Sequence, residues 1–106
     1  MGTRATEDGV VDRLKSRIGE HLRVETLILF GSHARGVATE SSDYDLIVVS
    51  PDFEGVAFIR RSARLLPLRE RGISYDFLCY TPAEFKKLSA ELTVVREAAR
   101  DGIRII

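Results

Sequence analysis

Three aspartates and a glycine-serine pair have the types and spacing that chemistry would need. Gly31 and Ser32 stop a short apolar run, Leu27 to Phe30; after ten further residues, Asp43 and Asp45 flank Tyr44 and open a second run, Leu46 to Val49. On an extended strand side chains alternate, so Asp43 and Asp45 emerge on one side about 7 Å apart while Tyr44 points the other way. Two carboxylates held side by side repel, and a divalent cation with a preference for hard oxygen ligands is the simplest reason to keep both. Gly31-Ser32 supplies the complement: a turn whose backbone N–H groups and hydroxyl suit a phosphate, followed by Ala34-Arg35 at the start of a short helix. Carboxylates for metal on one strand and a phosphate turn at the end of its neighbour make a nucleoside triphosphate site. Gly-Ser-x10-Asp-x-Asp arises by chance in about one chain in a thousand of this size.

Asp76 is the third acid. It lies between Tyr75 and Phe77 in an apolar run that continues through Leu78, Cys79 and Tyr80, a poor place to hide a charge. If the strands holding Asp45 and Asp76 start level, at Tyr44 and Ile73, the two acids fall at the second and fourth positions of strands about 4.8 Å apart. A third carboxylate can then join the pair.

These residues resemble the minimal nucleotidyltransferases of the DNA polymerase beta-like superfamily. Gly31-Ser32, Ala34-Arg35-Gly36, Ser42-Asp43, Asp45-Leu46-Ile47-Val48 and the later aspartate carry the resemblance, which covers nearly the whole chain. His33 departs from it, standing where Arg or Tyr is more frequent. The resemblance implies an α/β (α+β) nucleotidyltransferase fold, a small mixed β-sheet flanked by four to five helices. It also implies attack of a hydroxyl on the α-phosphorus of a nucleoside triphosphate, ATP by family likeness. Asp43, Asp45 and Asp76 would hold two Mg²⁺, with Asp76 beside the attacking oxygen, while Gly31 and Ser32 hold the leaving phosphates and Arg35 either joins them or braces the loop through a carboxylate. Relatives of this length resemble antitoxins encoded beside HEPN-type RNase toxins, so the expected acceptor is a partner protein and the reaction an adenylylation. Two alternatives stand beside it: a non-catalytic module that neutralises its partner by covering it, and the catalytic subunit of a small-molecule transferase of the aminoglycoside-modifying kind. Homo- and hetero-oligomers are both left open.

Composition bounds these readings. A chain of 106 residues reads as one domain, residues 1–106, with a single core and no room for a separate acceptor-binding domain. Sixteen basic and sixteen acidic residues cancel, so bulk attraction to nucleic acid is not expected. The one cysteine, Cys79, sits in an apolar run and reads as a buried thiol of a reducing, cytoplasmic compartment. No apolar run is long enough to span a membrane.

The elements that must position the acids follow in order. Val11, Leu14, Ile18 and Leu22 give an amphipathic first helix over about 8–22, and His21 is expected to meet its last carbonyls. Strands follow over about 24–30 and 44–50, with the short helix between them over about 32–37. Val56, Ile59, Ala63 and Leu66 predict a helix over 55–66 with Arg60, Arg61 and Arg64 opposite, more often a solvated face than a basic cluster that grips a triphosphate, an acidic acceptor or RNA. A third strand over 73–80 should lie parallel to the second, since a helix joins them. Thr81-Pro82-Ala83-Glu84 is a capping box that starts another helix, and Leu92, Val95 and Ala99 mark a last one, ended by Gly102 before a short strand at Ile103 to Ile106.

Overall fold

The computed structural model describes residues 9–106. Four strands form a mixed sheet, β1 (Thr26–Phe30), β2 (Tyr44–Val49), β3 (Tyr75–Tyr80) and β4 (Ile103–Arg104), in the order β3-β2-β1-β4. β1 runs antiparallel to both β2 and β4, and β2 and β3 are parallel. Five α-helices accompany them among the described residues: α1 (Val10–His21), α2 (Gly31–Arg35), α3 (Phe58–Arg61), α4 (Pro82–Ser89) and α5 (Val94–Asp101). This is the expected α/β architecture.

Both sheet faces are covered, which is why the strands read as unbroken apolar runs. On one face Leu27, Leu29, Tyr44, Leu46 and Val48 pack with Val11, Leu14 and Ile18 of α1 and with Phe53, Leu65 and Leu68. On the other, Ile28, Ile47 and Val49 pack with Val95 and Ala98 of α5, with Phe85 and Leu88 of α4 alongside. α1 keeps the spacing expected of it, although Asp8 lies outside the described residues; His21 Nδ1 lies 2.9 Å from the Arg17 carbonyl at its end. The capping box is present in full, Thr81 accepting from the Glu84 amide and Glu84 reaching back to the Thr81 amide.

The segment between β2 and β3 differs from its expected form. α3 has four residues and passes into a 3₁₀ helix, Ser62–Leu68. Pro67 lacks an N–H and disfavours the α conformation at Leu66, and the tighter three-residue turn brings Leu65 and Leu68 inward. The proposed stripe is thereby broken: Ile59 is 83% exposed and Leu66 points out, while Arg61 is only 6% exposed. Arg61 is an internal tie, not part of a solvated face. It donates to the Val56 carbonyl at 2.9 Å, to the Cys79 carbonyl at 3.2 Å and to both carboxylate oxygens of Glu84. That hydrogen bond holds the Glu84 carboxyl below its ordinary range. Arg64 turns away to the Asp52 carbonyl, so Arg60, Arg61 and Arg64 form no common basic surface.

The last helix is displaced as well. Thr93 caps α5 by accepting from the Arg96 amide, which leaves Leu92 outside the helix and 93% exposed; Val95 and Ala98, not Ala99, face the core. No helix is long and apolar enough to cross a membrane among the described residues.

Arg61 makes a direct prediction. Replacing it with Met keeps its aliphatic packing but strands two carbonyls and Glu84, and should cost about 2–4 kcal/mol in urea denaturation. A loss below about 0.5 kcal/mol would refute its role as a tie.

Candidate active site

Because Gly72 takes a left-handed φ of 82° and the Ser74 carbonyl accepts from the Tyr44 amide at 2.9 Å, β3 begins at Tyr75 and not at Ile73. The consequence is a register two residues closer than level strand starts implied: Asp45 pairs directly with Asp76, as Tyr44 does with Tyr75. Neighbours in a parallel pair lie about 4.8 Å apart with side chains on the same face. Tyr44 faces the other side, buried in the core over α1.

Asp43 lies just before β2, exposed, at the end of a loop that the structure ties down. The Thr39 amide donates to Ser42 Oγ at 2.9 Å and the Ser42 amide to the Thr39 carbonyl at 3.1 Å. His33 adds a brace that the sequence did not reveal. Its ring stacks on Tyr44 with centroids 3.7 Å apart, and Nε2 donates to the Ser42 carbonyl at 3.2 Å. No local pattern links positions 33 and 42, so sequence spacing offered no signal for it.

Gly31 enters α2 with a φ of 76°, a conformation that L side chains rarely adopt. It is required for a second reason: a Cβ placed there would collide with Asp45 Oδ2. Absence of a side chain lets the turn of Gly31 and Ser32 lie against the carboxylate. α2 ends at Arg35, where Gly36 takes a left-handed φ of 73°.

The electrostatics follow this crowding. Burial, then the negative charges of Asp76 and Asp43, push the Asp45 carboxyl above its ordinary range, and His33 and Arg35 offset part of the rise. Asp45 thus feels both other acids. As the side chains stand, no group of three or more His, Cys, Asp and Glu is drawn tightly enough to hold a metal ion among the described residues. Asp45 and Asp76 share a face and Asp43 adds charge to it; all three donors are carboxylates, as a hard divalent cation prefers. Cys79 has no part in this chemistry, because burial pushes its thiol up to about 12.

A sequence model of the nucleotidyltransferase domain family matches residues 10–104. The chain belongs to the nucleotidyltransferase domain family. The match takes in all three aspartates and the Gly31–Arg35 turn, and it sets the general reaction as transfer of a nucleoside monophosphate. The fold is also similar to the crystal structure of a candidate nucleotidyltransferase from Sulfolobus solfataricus, at a TM-score of 0.52 and 20% identity over 82% of each chain. Comparison with curated proteins gives no match.

In this nucleotidyltransferase, ionised Asp45 is destabilising without a cation. Its folded-state carboxyl titrates above the unfolded value, so the contribution of this one group to stability is fully present below the unfolded value and is lost as pH rises through the folded value. Asp45→Asn should therefore raise the melting temperature at neutral pH in chelator, by a few degrees, and remove any stabilisation by Mg²⁺. A lower melting temperature in chelator would contradict this. Gly31→Ala should cost at least about 1 kcal/mol from the positive φ alone, and more from the clash with Asp45; an unchanged denaturation midpoint would show that the turn can move aside.

Proposed function

We propose that the protein is a Mg²⁺-dependent nucleotidyltransferase that moves AMP from ATP onto a hydroxyl of a partner protein. The observation that carries the reading is the direct pairing of Asp45 with Asp76 beside the Gly31 turn, in a chain of the nucleotidyltransferase family. The donor set fits a hard dication, since burial and then the charges of Asp76 and Asp43 push the Asp45 carboxyl above its ordinary range, and a bound cation would offset that cost. Asp43, Asp45 and Asp76 would hold two such ions. Bound there, Mg²⁺ supplies charge neutralisation and polarisation of the phosphate.

The remaining work falls to the chain's own groups. Gly31 and Ser32 offer backbone N–H groups and a hydroxyl to the β- and γ-phosphates, and Arg35 offsets charge on the departing pyrophosphate. Asp76, exposed at its strand position, accepts the proton of the attacking hydroxyl. The oxygen forms its bond to the α-phosphorus as the bond to the bridging oxygen of pyrophosphate breaks. His33 and Tyr44 keep the Asp43 loop in place.

The choice of a protein acceptor, of the HEPN-type toxin class, rests on the resemblance to minimal nucleotidyltransferase antitoxins. Phe58, Ile59, Leu92 and Val94 are exposed apolar side chains that another polypeptide could cover.

The test is label transfer. With α-labelled ATP, Mg²⁺ and the product of a neighbouring HEPN-type gene, the partner should acquire AMP, and Asp45→Asn should lower the rate about 10²-fold or more. Neutralisation of the partner with no label transferred, and no effect of Asp45→Asn, would favour a covering module over an enzyme.

A further inference from the structure

Asp76, Asp45 and Phe30 occupy one row across β3, β2 and β1, because Asp45 pairs with Asp76 on one side and with Phe30 on the other. The row thus passes from carboxylates to an aromatic ring within three strands. Beyond it opens a cavity of about 340 Å³, lined by Phe30, Gly31 and Arg35 on the site's side and by Glu97, Ala98 and Asp101 of α5 on the other. That size falls within the range of small-molecule sites.

The cavity is chemically polarised. Gly31 and Arg35 give it a turn and a cation next to Asp45; the facing wall of α5 presents two acids four residues apart, on one helical face. Asp101 is the last residue of α5, where the negative end of the helix disfavours an acid. Its hydrogen bonds from Arg100, at 3.1 and 3.2 Å, hold its carboxyl below the ordinary range. A carboxylate offers about four acceptor positions, so two remain. α5 reaches the sheet here because Gly102 has no side chain: a Cβ would meet the Ala98 carbonyl at 2.5 Å, Ile28 Cγ2 at 2.7 Å and the Leu29 carbonyl at 2.8 Å.

We propose that this cavity seats the nucleoside of the triphosphate, with the Glu97 and Asp101 carboxylates accepting hydrogen bonds from its N–H and O–H donors. The inference rests on the nucleotidyltransferase reading and adds to it a means of selection. The phosphates lie at the Gly31 and Arg35 end, the sugar and base over Phe30 and Ala98, and the acidic wall selects donors. Two sources supply donors, the ribose hydroxyls and the amino group of adenine or cytosine. Where the base supplies the donor, uracil, with two carbonyls and one N–H, is disfavoured against such a wall.

Calorimetric titration of the full chain in Mg²⁺ tests this with ATP, 2′-deoxy-ATP, ITP, UTP and inorganic tripolyphosphate. ATP should bind about tenfold or more tightly than tripolyphosphate, and by a similar factor more tightly than UTP where the amino group of the base supplies the donor. The double variant E97Q/D101N should bring ATP down to the tripolyphosphate level while leaving tripolyphosphate affinity undiminished. Weakening with 2′-deoxy-ATP assigns the acceptors to the ribose, and weakening with ITP assigns them to the amino group; either supports the proposal. Wild-type protein that binds ATP, 2′-deoxy-ATP, ITP and UTP alike overturns it without recourse to any variant, as does unchanged ATP affinity in E97Q/D101N. Binding of tripolyphosphate with no gain from the nucleoside overturns the cavity's role and leaves the transferase reading standing. Binding of neither ATP nor tripolyphosphate removes both.

Discussion

Two aspartates placed opposite each other by a parallel strand pair cannot move their backbones apart without breaking the ladder between β2 and β3. Their repulsion is therefore built into the backbone, and the surrounding structure has to sustain it. Leu46 and Val48 fasten β2 to the core over α1, and Ile47 and Val49 fasten it to the opposite face under α5. Arg61 secures the far end of β3 by hydrogen-bonding the Cys79 carbonyl while pairing with Glu84 of α4. A strand so anchored on both faces can carry unfavourable charge at its beginning.

The groups around the acids share a second property: they give close approach. Gly31 has no side chain to strike Asp45, and Gly102 has none to hold α5 away from β1. His33 fills the opposite need, supplying a flat ring that stacks on Tyr44 and grips the Ser42 carbonyl, so that the loop leading to Asp43 has a fixed route. Rigid placement of this kind is what lets a site hold charge before any substrate arrives.

Most of the site was legible in sequence because its parts are local. Strands announce themselves by apolar runs, and Gly31-Ser32 and Asp43-x-Asp45 lie at the ends of such runs. What sequence could not supply was register. Ile73 looks like a strand residue, and only the turn at Gly72 and the bond from the Tyr44 amide to the Ser74 carbonyl show that pairing begins at Tyr75. The segment from Val56 to Leu66 misled for a different reason. Its apolar spacing fits an α-helix, but Pro67 tightens the chain into a 3₁₀ turn and the partners of Arg61 draw a charged residue inside. Leu92 likewise fits a helical stripe, yet the Thr93 cap starts α5 beyond it. Long-range partners such as Glu84 for Arg61, or Ser42 for His33, leave no local trace.

The central claim, that acids on adjacent strands converge on a divalent cation beside the glycine turn, is best tested by titrating Mn²⁺ into isotopically labelled protein and recording amide resonances. Paramagnetic broadening should centre on Gly31, Ser32, Asp43 to Asp45 and Asp76, spare the amides of α1, and disappear when Asp45 is replaced by Asn. Broadening centred elsewhere on the chain, or broadening at these positions that Asp45→Asn leaves intact, would contradict the account.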